Sequence, residues 1–335
     1  MPKSPPTAKW LNPFWTAFGE NGFATLAFWT MCRFGEQIRR EQKSLGFLEL
    51  SGQQGTGKST LLHFLAKLDG SEDYQAFNPG RATKAAYCRT LASIANRPIV
   101  FMDTDRFDWD EIKSLFNGRI GRASGTKTGD NGTDEPIFRG GLIIEQSAPF
   151  DASPAVLTRT LQLDFTKDRW TEATRQAAAE LDNWQVSDFA EVASQRIDRE
   201  ASYLKTFRNA YAVHLNWLKK AGVENSRLCH IHAQLQAGVA ALVEMFDIPA
   251  WMLERAHGHV DSMAIKRDIA ERSLPSPPHS WGGVGAKSPT EGSPSASRTK
   301  PVIDYAFYVW LGIVCGFVGG ILSAIVRLLI GGALK

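Results

Sequence analysis

Residues 52–59 read Gly52-Gln53-Gln54-Gly55-Thr56-Gly57-Lys58-Ser59, the spacing G-x-x-x-x-G-K-[ST]. This octapeptide constrains the fold more than any other stretch of the chain, because it works only between a strand and a helix. Its glycines let the backbone turn sharply enough for successive N–H groups to converge on phosphate oxygens. In that arrangement Lys58 reaches the β- and γ-phosphates, Ser59 offers its hydroxyl to Mg²⁺, and Thr60 continues a helix whose positive end faces the anion. The flanks agree: Leu45 to Leu50 is an apolar run of strand length, and Leu61, Leu62, Phe64, Leu65 and Leu68 recur as in a buried helix. The expected ligands are therefore ATP and Mg²⁺.

Further strands are expected where apolar runs of strand length recur. Ile99-Val100-Phe101-Met102-Asp103 ends in an acid, Leu142-Ile143-Ile144 is a second run, and Leu161, Leu163 and Phe165 alternate. Strands separated by helical stretches imply an α/β fold, a parallel-type sheet of the P-loop NTPase kind. From Asp168 to about Arg272 the pattern is helical throughout, marking a helical C-terminal subdomain. Upstream, Phe23, Leu26, Ala27, Met31, Phe34 and Ile38 recur at helical spacing beside polar Glu36, Arg39, Arg40 and Glu41, which predicts an amphipathic helix packed on the nucleotide core.

With 335 residues, 43% of them hydrophobic, the chain has enough apolar material for a large core, and disorder is excluded as a description of the whole. A net charge of +3 is too slight to imply a nucleic-acid partner by itself, so that case rests on where the cations cluster. Cys32, Cys88, Cys229 and Cys315 lack a C-x-x-C pair, which argues against a disulfide framework or four-cysteine zinc site and suits a reducing cytosol. The residues after Met1 contain no apolar core of the signal-peptide type, and secretion is not expected.

Tyr305 to Val326 is different: twenty-two residues without a charge, long enough to cross a hydrocarbon core as one helix. Tyr305, Tyr308 and Trp310 near its start suit a membrane interface, and Gly312, Gly316 and Gly320 would line one face. A single C-terminal transmembrane helix is expected, with the ATPase portion on the cytosolic side of a cytoplasmic or inner membrane. Phe23 to Cys32 is bounded too closely by Glu20 and Arg33 for a second span. The organisation expected is a helical segment over 1–44, a nucleotide core over 45–167, a helical subdomain over 168–272, a Pro/Ser/Gly linker over 273–301 and the span within 302–328.

Hydrolysis needs an acid at a neighbouring strand end to hold the Mg²⁺ shell and orient water, and Asp103 stands at such an end, with Asp105 second. Asn117 to Arg139 carries Arg119, Arg122, Lys127 and Arg139 among Gly, Thr and Asn residues. It reads either as a loop or hairpin that meets nucleic-acid phosphates or as a solvated surface loop. Gln146 and Ser147 end the Leu142 strand and are placed to sense the γ-phosphate. Arg159 is placed to act as an arginine finger toward a neighbouring subunit's nucleotide.

The order of these parts, with Phe107-Asp108-Trp109-Asp110-Glu111, Phe116-Asn117-Gly118-Arg119, Pro136 to Gly141 and Ala148 to Arg159, resembles the ATPase module of primase-helicases carried by phages and mobile elements. More broadly the layout is similar to superfamily-3 helicases of the AAA+ type. The resemblance covers roughly Trp10 to Arg272. It implies a ring-forming homo-oligomer that uses ATP to move on single-stranded DNA. Ser147 stands where the family usually has Asn, and Gln146 is the neighbouring amide available for that role. Nothing before Trp10 would hold a Toprim primase part, and primase activity is not expected; the linker and the span are foreign to the family. Two other readings stay open: a membrane-anchored, nucleotide-dependent partner-binding switch, and a mobile-element remnant that binds ATP without hydrolysing it. His230, His232, His257 and His259 lack the i, i+4 spacing of common zinc sites, and no metal other than Mg²⁺ is expected.

Overall fold

The computed structural model describes residues 9–273 except 103, 105–106, 122–123, 126–132 and 135. The chain divides into two compact units, Met1–Asp268 and Ile269–Lys335. Of the second unit only the last residues of one helix, to Ser273, are described, so most of the 273–301 linker and the Tyr305–Val326 span lie outside the described residues. No helix among the described residues is long and apolar enough to cross a membrane.

The expected α/β architecture is present. Five parallel strands, β1 (Phe47–Ser51), β2 (Ala76–Phe77), β3 (Ala95–Phe101), β6 (Arg139–Gln146) and β7 (Thr160–Asp164), form a sheet of order β2-β3-β6-β1-β7. A second, two-stranded antiparallel sheet pairs β4 (Ser124–Gly125) with β5 (Thr133–Asp134), and the bridge Arg119–Ile137 continues the same hairpin toward its base. The central strands are buried on both faces, which is why their sequences read as apolar runs without alternation. Glu49 is the exception inside β1: one carboxylate oxygen accepts from Phe150 N at 2.8 Å and the other from Gln162 Nε2 at 2.7 Å, so the buried acid is fully bonded. Burial nonetheless raises its pKa against those two hydrogen bonds and the nearby charge of Arg267.

The helices are α1 (Leu11–Arg33), α2 (Gly35–Gln42), α3 (Lys58–Leu68), α4 (Lys84–Ser93), the single turn α5 (Pro154–Leu157), α6 (Glu172–Asp182), α7 (Ala190–Lys220), α8 (Ser226–Ala241) and α9 (Ala250–Ser273). The predicted amphipathic helix over Phe23 to Ile38 is corrected here in two ways. It is two helices, broken at Phe34, and over the predicted stretch the first has no solvent face: every residue from Gly22 to Cys32 is buried. Small residues make this possible, since Ala24, Thr25, Ala27 and Thr30 fill the sectors that large apolar residues leave. The buried hydroxyls are satisfied internally, Thr25 to Asn21 O and Thr30 to Leu26 O, each at 2.8 Å. α1 packs on β3 and β6 and against α6 and α8, and Gly141 of β6 permits the approach, because a Cβ there would lie 2.0 Å from Cys32 Sγ. The segment before β1 is thus the centre of the core rather than a layer on its outside.

Candidate nucleotide site

Parallel strands bring all their carboxyl ends to one edge of the sheet, and at that edge β1 runs into the Gly52–Ser59 loop and then α3. Neighbouring strand ends fix the loop's start: Gly52 N donates to Gln146 O at 3.2 Å and Phe165 N to Ser51 O at 2.7 Å. Gly52, Gly55 and Gly57 have φ of 147°, 80° and 86°, values that glycine adopts freely. Space adds to the demand, since a Cβ on Gly52 would meet Phe165 O at 2.2 Å and one on Gly57 would meet Trp170 Cζ2 at 2.7 Å. Gln53, Gln54 and Gly55 form the exposed crest, while Thr56 is buried and its hydroxyl donates to Gln53 O at 2.9 Å.

α3 begins at Lys58 with Gly57 as its N-cap, so no side chain satisfies its first N–H groups, and no acid occupies its first turn. Lys58 is 5% exposed, and its ammonium donates to the carbonyl of Gly52, to Gln53 O at 3.3 Å and to Thr56 Oγ1 at 3.4 Å. Burial lowers its pKa, while the carboxylates of Glu145 and Asp164 act to raise it. Thr60 follows in the first turn of α3 and is half-buried. A positive-φ loop whose flanking glycines admit no Cβ, an uncapped helix start and a buried ammonium together fit a phosphate chain.

Glu145 and Gln146 end β6. Gln146 donates from Nε2 to Thr104 Oγ1, on the stretch that follows β3, whereas Ser147 is exposed in the turn beyond. Glu145, which the sequence reading passed over, accepts from Ser59 Oγ at 3.0 Å, and its second oxygen is buried without a partner among the described residues. A hydroxyl beside a carboxylate oxygen in need of a donor fits the oxygen-only chemistry that Mg²⁺ requires. Asp103 and Asp105 lie outside the described residues, but the buried Thr104 between them is close enough to bond the tip of β6.

Beside Thr56 a narrow cleft opens, lined by Phe18, Asn21, Phe165, Arg169 and Trp170. Asn21 Nδ2 donates to Asp164 O at 2.7 Å, and Arg169 pairs with Glu20 at 3.1 Å, an acid that also holds Arg255 at 2.7 Å. Burial pushes the Glu20 pKa up, but backbone hydrogen bonding and the two arginines outweigh it, and the acid stays below its ordinary value. These residues come from the start of α1 and from the turn after β7, so only the tertiary fold joins them to the loop.

The expected arginines are elsewhere. Arg159 precedes β7 and its carbonyl accepts from Phe47 N at 2.9 Å, which puts it at the amino-terminal edge, about 15 Å from the loop at ~3.3 Å per strand residue. Its guanidinium donates to Ala155 O and lies 5.3 Å from the Phe116 ring centroid. Arg139 starts β6 at the same edge, exposed, and Arg119 is exposed at the hairpin base. Arg122 and Lys127 lie outside the described residues. Among the described residues no group of three or more His, Cys, Asp and Glu is arranged for a metal; His230 bonds Ser44 at 2.7 Å and Tyr211 at 2.6 Å.

Among solved structures, the chain is similar to the active helicase Cch of SCCmec type IV, with a TM-score of 0.52 and 20% identity over 79% of this chain and 51% of that one. The fold is helicase-type. This chain spans about half the length of Cch. Matches to the JCV helicase (TM-score 0.27, 12% identity, 75% and 60% covered) and to the C-terminal region of NrS-1 (0.30, 13%, 80% and 68%) are weaker. No protein-family model and no curated protein matches the chain. In this sheet one strand, β6, lies between the loop-bearing β1 and β3, so three strand ends border the candidate nucleotide site.

Proposed function

We propose that the chain is an ATP-hydrolysing, helicase-like motor that acts on single-stranded DNA as a homo-oligomer. The observation that carries this reading is the glycine loop at the carboxyl end of β1, with its uncapped helix start and buried Lys58, inside a helicase-type fold. Lys58 would exchange its carbonyl partners for β- and γ-phosphate oxygens, and the N–H groups from Gly55 to Ser59 would take the remaining ones. Phe18 and Trp170 offer ring surfaces, and Asn21 an amide, for the nucleoside end in the cleft beside Thr56. Mg²⁺, bound with the triphosphate, supplies charge neutralisation at the transferring phosphoryl group. Ser59 and Asp103 are its proposed holders, Asp105 the second acid, and Gln146, with Ser147 beside it, the γ-phosphate contact.

Arg159 is the proposed arginine finger for a neighbouring subunit, and that role requires it to leave Ala155 and Phe116. Arg119, Arg122, Lys127 and Arg139 are the proposed DNA contacts, supported by their positive charge and, for Arg119 and Arg139, by their exposure. Tyr305–Val326 is proposed to tether the motor to the cytosolic face of a membrane. The test is ATP turnover by the purified full-length chain with and without single-stranded DNA. Stimulation of several-fold is expected; turnover indifferent to DNA would sink the motor reading, and binding without turnover would favour the remnant.

A further inference from the structure

The two residues at the tip of β6 reach different neighbours. Gln146 bonds Thr104, on the side of the acid-bearing stretch, and Glu145 bonds Ser59, on the side of the loop. Glu145 pairs in register with Leu50 of β1, two residues before Gly52, so its position is fixed by the sheet and not by a loop. Because a carboxylate only accepts, the proton of the Ser59 hydroxyl is committed to Glu145 Oε1 in the 3.0 Å contact. The lone pairs of Ser59 Oγ are thereby left free for something else. Glu145 Oε2, buried and without a donor among the described residues, is an acceptor that burial leaves unsatisfied. An oriented hydroxyl and an acceptor-only oxygen side by side suit a hydrated divalent cation, whose waters donate and whose charge takes oxygen lone pairs.

We propose that Glu145 is a positioning residue of the divalent-cation site: it aims the Ser59 hydroxyl at the Mg²⁺ that accompanies the nucleotide and accepts from that ion's waters. The inference rests on the nucleotide reading of the loop. The bland alternative is a hydrogen bond that merely ties α3 to β6. Glu145→Gln separates the two, since an amide oxygen still accepts from Ser59 but carries no charge toward a cation.

The full-length chain is mixed with a non-hydrolysable ATP analogue and titrated with Mn²⁺, followed by electron paramagnetic resonance; nucleotide affinity is measured in parallel with metal removed by chelator. E145Q is expected to weaken Mn²⁺ binding about tenfold or more, as the loss of an outer-shell partner does, with metal-free nucleotide affinity not reduced, because a negative charge beside Lys58 has been removed. S59A should lose metal affinity similarly, and the double variant should fall short of the sum of the two losses, because the groups act together. Mn²⁺ affinity in E145Q equal to that of the parent, with nucleotide bound, overturns this inference alone. A parent chain that binds nucleotide neither with nor without metal overturns the nucleotide reading and this inference together. Thermal melting checks that E145Q is folded; should it not be, E145D, which keeps the charge on a shorter stem, must show the same metal-selective loss.

Discussion

At the carboxyl ends of β1, β6 and β7 the chain leaves backbone N–H groups uncapped and holds a lysine against carbonyls it can release. At the amino ends of the same strands two cations, Arg39 and Arg159, are turned inward, while Arg139 stays exposed. Arg39 is 7% exposed, donates to Gly140 O at 2.6 Å and lies 5.1 Å from the Phe138 ring centroid. Burial pulls its pKa down to about 10. Arg159 repeats the arrangement on Phe116 and the Ala155 carbonyl. One edge thus leaves helix N–H groups uncapped, and the other holds two of its guanidinium groups each between an aromatic ring and a backbone carbonyl. The difference teaches that a basic residue near a nucleotide motif in sequence says little about which edge of the sheet it serves.

The contrast is most exposed to Lys58→Ala, which should lower ATP turnover about 10²- to 10³-fold, as the loss of a transition-state donor does; a smaller loss in a steady-state assay would mean the loop edge is not where charge is stabilised. Gly52→Ala comes next. The new Cβ would press on the Phe165 backbone oxygen at a φ of 147°, and unfolding free energy should fall by about 2–3 kcal/mol in a denaturant titration.

The opposite end of β7 should answer to acid. His232, beside Thr160 and Gln162 in a cavity of 270 Å³, is held neutral by burial, which pushes its pKa from 6.5 to about 4 against the hydrogen bond to Leu228 O. The unfolded chain takes up a proton below pH 6.5 that the folded ring refuses until about pH 4. Stability from this residue is therefore complete above 6.5 and lost as pH falls, by up to about 1.4 kcal/mol per pH unit. His232→Leu should flatten the stability slope between pH 6 and 4. The smallest change is expected from Arg159→Ala, which should leave nucleotide affinity within about twofold, because distant sites act independently. Its effect on DNA-stimulated turnover is the separate readout of a role across a subunit boundary.

The sequence made the loop, the strands and the helical second half legible because each is a local pattern: a glycine spacing, an apolar run, a 3.6-residue period. It misled at α1, where Glu36 and Arg39 to Glu41 suggested a polar face that belongs to the separate α2, and where Ala24, Thr25 and Thr30 are small enough to be buried without looking apolar. Glu145 looked like the polar end of a strand, since nothing in Leu142-Ile143-Ile144-Glu145 reveals that Ser59, 86 residues earlier, lies beside it. Asn21, Arg169 and Trp170 carried no signal at all, because their nearness to Thr56 exists only once α1 and the turn after β7 have packed.

Trp170 against Gly57 has a practical side. An indole in van der Waals reach of the third loop glycine cannot keep the same surroundings when the loop changes shape, so its emission is a built-in optical gauge of the Gly52–Ser59 loop. The chain has 10 tryptophans, and Trp170→Phe isolates this contribution by difference. The motion of eight loop residues can then be timed by stopped-flow fluorescence without attaching a dye.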